Sequence, residues 1–112
     1  MDTALRTLDG LAGKAGEAAR FLKLVANEQR LRLLCRLAAD GEMTVSRLAE
    51  AVGLSQSALS QHLARLREDG LVTFRREAQT LFYRIADRRT VTLMVTLRRL
   101  FCPDPTNPRT RQ

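Results

Sequence analysis

Apolar residues recur at helical spacing through the first 26 positions, at Leu5, Leu8, Leu11, Ala15, Ala18, Ala19, Leu22 and Ala26. The pattern predicts one helix with a soft beginning, because Gly10, Gly13 and Gly16 each weaken a helix by up to about 1 kcal/mol relative to alanine. A second helix is predicted from Asn27, a good N-cap, to about Ala39, where Asp40-Gly41-Glu42 ends it. Thr44 caps a short third helix, "VSRLAEAV", that stops at Gly53, and Ser55 caps a fourth, "QSALSQHLARLRED", that stops at Gly70. From Leu71 the period shortens to two: Val72 and Phe74, then Leu81, Tyr83 and Ile85 after "EAQT", alternate with polar residues as a β-hairpin does. Asp87 caps a last helix, "RRTVTLMVTLRRLFC", terminated by Pro103, and the polar, proline-containing remainder is predicted to be a disordered tail. The expectation is one domain over residues 1–102 and a tail over 103–112, mainly α with a β-hairpin in the order ααααββα.

The third and fourth helices, joined across "GL", have the lengths and punctuation of a helix-turn-helix, and the hairpin makes it winged. At about 100° per residue, Leu59, Leu63 and Leu66 form a narrow stripe that must face inward. Ser57, Ser60, Gln61 and Ala64 project from the other side, where Gln and Ser could bond base edges or phosphates and the small residues allow close approach to a major groove. The turn Ser55-Gln56-Ser57 also offers backbone N–H groups to a phosphate. These residues could equally be the solvated face of a surface helix; Arg75, Arg76, Gln79 and Arg84 in the hairpin tip the reading toward DNA. His62, beside the apolar stripe, is open between phosphate contact and packing.

Charge supports the same direction. Of the net +7, residues 1–54 carry eight Lys/Arg against seven Asp/Glu, and residues 55–112 carry eleven against five. A basic half calls for a polyanion, nucleic acid before an anionic membrane surface. No run of about eighteen apolar residues could span a membrane and the start lacks a signal-peptide pattern, so a cytoplasmic protein without a membrane partner is expected. One histidine, no glycine-rich phosphate loop and no nucleophile-base arrangement argue against an enzyme.

The two cysteines, Cys35 and Cys102, are too far apart in sequence for a local chelate and sit in a chain expected to stay reduced. With Leu31, Leu34 and Ala38 as the apolar centre of the second helix, Cys35 falls at its edge, partly reachable; filler and reactive thiol both remain open. The last helix presents Leu93, Met94, Leu97, Leu100 and Phe101 on one side and Val91, Val95 and Cys102 on another, as a helix packed against both its own domain and a second copy would.

"VSRLAEAVGLSQSALSQHLARLREDGLV" followed by "TFRREAQTLFYRI" resembles the ArsR/SmtB family of bacterial winged-helix repressors, and the resemblance runs from "LVANEQRLRLLCRL" through the last helix. It implies a homodimer through the first and last helices, bound to an imperfectly palindromic double-stranded operator and released by an inducer. The family's usual metal-binding thiolates would fall at Thr44 and Ser46, whose hydroxyls are poor ligands, and its other site, on the last helix, retains only Asp87. Neither a metal nor another cofactor is therefore expected. "RLRLLC" and "RLFCP" resemble a subgroup, the biofilm-growth and sulfide-responsive repressors (BigR, SqrR). That likeness implies that reactive sulfur species, persulfide or polysulfide, bridge Cys35 and Cys102 of one subunit and derepress sulfide-detoxification genes. A general oxidant sensor using a plain disulfide, and a constitutive DNA-binding module with inert cysteines, are the alternatives. The sequence departs from the family at Ala78, where relatives usually carry glycine, so a turn needing positive φ would be strained.

Overall fold

The computed structural model describes residues 3–102. Where one opening helix is predicted there are two, α1 over Thr3–Gly13 and α2 over Ala15–Val25, interrupted at Lys14, whose backbone (φ −110°, ψ 13°) leaves the helix. Every residue from Leu8 to Glu17 is exposed, so no packing within the subunit holds this glycine-weakened stretch straight.

Helix α3 spans Glu28–Asp40. Asn27 opens it by accepting from the Arg30 N–H at 3.1 Å, and Gly41, at φ 87°, closes it. Its buried stripe is Leu33, Leu34 and Leu37, with Leu31 and Ala38 half-buried, so the apolar centre lies slightly further round the helix than Leu31, Leu34 and Ala38 imply. A two-residue strand, β1 (Met43–Thr44), leads into α4 (Val45–Val52), where Thr44 caps Arg47 N–H at 3.3 Å and Gly53 turns the chain at a left-handed φ of 72°. Helix α5 spans Gln56–Glu68, capped by Ser55 on Ala58 N–H at 3.0 Å.

Strands β2 (Val72–Glu77) and β3 (Thr80–Ile85) pair antiparallel, with Val72 opposite Ile85 and Glu77 opposite Thr80. Strand β1 adds to the free side of β3, Met43 opposite Tyr83, giving the sheet order β1-β3-β2. It escapes sequence reading because two residues carry no period. Ala78, first of the two residues in the hairpin turn, has φ 56°, so the strain expected of an alanine there is present. Helix α6 spans Arg88–Phe101, opened by Asp87 on Arg89 N–H at 2.9 Å.

One core joins these elements. Leu33, Leu34 and Leu37 of α3 meet Leu48 of α4, the fully buried Leu59, Leu63 and Leu66 of α5, Val72 and Tyr83 of the sheet, and Met94 of α6. The third and fourth predicted helices and the hairpin thus fold as a winged helix-turn-helix against α3 and α6. Leu8, Leu11, Leu22, Val91, Val95, Leu100 and Phe101 stay 37–77% exposed on α1, α2 and α6. The tail expected over 103–112 lies outside the described residues.

Candidate DNA-reading surface and thiol pair

Because α5 buries its leucine stripe completely, Gln56, Ser57, Ser60 and Gln61 stand exposed on its opposite face. The Ser55 hydroxyl oxygen accepts from the Ala58 N–H, which leaves the N–H groups of Gln56 and Ser57 for a phosphate. His62 is half-buried and its Nδ1 accepts from Arg30 Nε at 3.1 Å, while Arg30 Nη1 donates to the Leu24 carbonyl at 3.1 Å. Burial first, and the Arg30 charge second, lower the His62 pKa, so the ring is neutral at neutral pH.

In the wing, Arg75 is engaged within the protein. Its Nε lies 3.0 Å from both oxygens of Glu42, its Nη1 lies 2.7 Å from Glu77, and its guanidinium sits 4.4 Å from the centroid of Phe82. The hydrogen bonds to Glu42 and then Glu77 raise its pKa, so it is cationic throughout the accessible pH range. Arg76, Gln79 and Arg84 are exposed, and among the described residues neither Arg76 nor Arg84 makes an ion pair. Sequence reading missed Phe82, on the sheet face opposite Tyr83, and Arg67, whose guanidinium lies 4.3 Å from the Phe74 centroid and fastens α5 to the wing.

The thiols lie on α3 and just past α6. Cys35 is exposed and its Sγ is 3.5 Å from Met94 Sδ, so it lies at the α3–α6 contact. Cys102, also exposed, closes the last turn of α6, with its N–H on the Arg98 carbonyl at 2.7 Å. Partial burial raises the Cys35 pKa, and the nearby charge of Cys102 raises it further, so the two sulfurs share one electrostatic neighbourhood. Cys35 also opens onto a groove of about 590 Å³ lined by Leu31, Arg32, Arg36, Ala39 and Val52, giving a small molecule access. At the positions of the family's metal thiolates, the Thr44 hydroxyl is used as a helix cap and Ser46 is exposed. Among the described residues no three His, Cys, Asp or Glu side chains converge to hold a metal ion.

A winged helix-turn-helix with a polar recognition-helix face and a cationic wing defines a DNA-binding protein. Residues 27–73 match the arsR family of bacterial regulatory proteins. Over 95 residues the chain is 46% identical to the transcriptional activator HlyU of Vibrio cholerae, covering 85% of this chain and 87% of that protein. The structure of reduced HlyU from V. cholerae N16961 aligns with a TM-score of 0.75 and 45% identity, over 83% of this chain and 97% of that one. The transcriptional repressor BigR from Xylella fastidiosa aligns with a TM-score of 0.80 and 35% identity, over 86% and 97%. The chain belongs to the ArsR family of bacterial transcriptional regulators; it is a DNA-binding regulator and not an enzyme. No helix among the described residues is long and apolar enough to cross a membrane.

Proposed function

We propose that this chain is a cytoplasmic homodimeric repressor that holds an imperfectly palindromic operator while Cys35 and Cys102 are reduced. It releases DNA when reactive sulfur species bridge the two thiols of one subunit, derepressing sulfide-detoxification genes. The observation that carries the reading is the place of Cys35, exposed at the contact of α3 with α6 and 3.5 Å from Met94 of the helix that Cys102 closes, with Cys102 exposed as well. The exposed apolar side chains of α1, α2 and α6 support a second copy as the partner, since a monomer leaves them in water.

In the simplest sequence, the thiolate of one cysteine attacks the outer sulfur of a persulfide RSSH, forming protein–SSH and expelling RS⁻. The second thiolate then attacks the inner sulfur of that protein persulfide and expels HS⁻, closing a disulfide. If the second cysteine has itself been persulfidated, its terminal sulfur attacks instead, and the same loss of HS⁻ leaves a trisulfide. A direct disulfide needs Cα atoms within about 7 Å, whereas added sulfur tolerates a longer gap, so the bridge length can separate sulfur donors from peroxide. Gln56, Ser57, Ser60 and Gln61 are assigned to the major groove, and the Ser55–Ser57 turn, Arg76 and Gln79 to phosphates.

The test uses the reduced protein and a DNA duplex that it selects from a random pool. Treatment with inorganic polysulfide is expected to abolish binding and to leave the Cys35 and Cys102 peptides cross-linked, as a disulfide or with one added sulfur, while Cys35→Ser keeps binding after treatment. Release from Cys35→Ser by polysulfide refutes the mechanism. Equal release by peroxide through a plain disulfide makes the protein a general oxidant sensor instead.

A further inference from the structure

Two side-chain clamps fasten α3 to the elements that carry the DNA-reading residues, one near each end of the helix. At its N-terminal end, Arg30 bridges His62 on α5 and the Leu24 carbonyl at the end of α2, both at 3.1 Å. Beyond its C-terminal end, Glu42 grips Arg75 of β2 with both carboxylate oxygens at 3.0 Å, and Glu77 and the Phe82 ring hold the same guanidinium. The rest of the contact between α3 and its neighbours is mainly leucine packing, which is not directional. Charge-assisted hydrogen bonds, among them the Arg75 Nε–H shared by both Glu42 oxygens, are directional and fix orientation in a way that leucines alone do not. Cys35 lies between the clamps in sequence, on the same helix.

We infer that Arg30 and Glu42 are positioning residues that set the recognition helix and the wing against each other, and that a displacement of α3 at Cys35 reaches DNA through these two clamps. The second half rests on the proposed thiol chemistry; the first is read in the reduced protein without it. Arg75 and His62 then act as parts of the frame. Arg75, with two carboxylates on its donors, adds little positive potential for a phosphate, whereas Arg76 and Arg84 make no ion pair among the described residues.

The experiment is a fluorescence-anisotropy titration of the selected duplex at several salt concentrations with wild type, Glu42→Gln, His62→Ala, His62→Gln and the double variant Glu42→Gln/His62→Ala. Reduced Glu42→Gln and His62→Ala are expected to bind roughly three- to tenfold more weakly with the wild-type salt slope, because no phosphate contact is lost. His62→Gln, whose side-chain oxygen can accept from Arg30, is expected to regain most of the affinity. In the double variant the ratio of reduced to polysulfide-treated affinity is expected to fall below that of wild type. A Glu42→Gln protein that binds more tightly with a steeper slope overturns the inference, since Glu42 then only screens Arg75. So does a His62→Gln protein as weak as His62→Ala, since the bond accepted from Arg30 is then not what His62 supplies. A double variant with the wild-type ratio removes the relay while leaving the thiol mechanism standing. A wild type indifferent to polysulfide removes the thiol mechanism, and the reduced-state affinities still decide the frame.

Discussion

Ala78→Gly is expected to stabilise the protein, although glycine ordinarily weakens a strand end. Alanine at φ 56° bears a steric cost between its Cβ and the adjoining carbonyl of roughly 1–2 kcal/mol. Glycine escapes that cost but has more freedom to lose on folding, which takes back roughly 0.5–1 kcal/mol. Ala78 is exposed in the turn, so removing its methyl group forfeits almost no burial. The net expectation is a gain of about 0.5–1 kcal/mol per subunit, a few degrees in Tm for a domain of this size. Urea unfolding of the reduced protein, repeated over a range of protein concentrations because association shifts the midpoint, measures it; the midpoint should rise with m unchanged. Gln79→Gly is the internal control: Gln79 has no positive φ, so glycine there should destabilise by about 0.5–1 kcal/mol. If Ala78→Gly lowers the midpoint as Gln79→Gly does, the left-handed backbone at the wing tip is not the source of strain and the argument fails.

Two further outcomes follow from single side chains. Thr90 is fully buried at the start of α6 and its hydroxyl has no partner among the described residues, so Thr90→Val should stabilise by about 1 kcal/mol in the same urea assay, and a loss would mean that the hydroxyl is satisfied. The raised pKa of Cys35 keeps it protonated at neutral pH, so its thiolate population, and with it its alkylation rate in Cys102→Ser, should climb only as pH approaches and passes the ordinary cysteine value. Labelling of Cys35 by a persulfide donor in Cys102→Ser, read by mass spectrometry, should accelerate over the same pH range, and a pH-independent rate would mean that its thiolate is not scarce.

The features legible in the sequence are those decided within a few residues of each other. Asn27, Thr44, Ser55 and Asp87 each open a helix by bonding an N–H two or three residues ahead, so composition and position suffice to find them. The leucine stripe of α5 and the alternation of the hairpin are likewise local periods, and both fold as read. What escaped depends on partners far along the chain. Strand β1 exists only because Tyr83 and Phe82 lie beside it, and the break at Lys14 reflects the lack of any packing partner within the subunit. The pairing of the two thiols was suggested by family resemblance alone, since nothing in their local sequence says that α3 and α6 cross beside Cys35.

The same division explains which DNA-reading residues change meaning in three dimensions. Ser57, Ser60 and Gln61 stand exposed on α5, where the helical period alone places them. His62, open between phosphate contact and packing in the sequence, accepts from Arg30, and Arg75 donates to Glu42, partners that lie 32 and 33 residues earlier. Arg30 lies in the first turn of α3, the helix that carries Cys35, and Glu42 two residues beyond its end. A polar residue held by such a long-range contact is thereby tied to the element on which sulfur chemistry would act. A repressor needs this connection, because a bridge that displaced α3 without disturbing α5 or the wing would leave the operator bound.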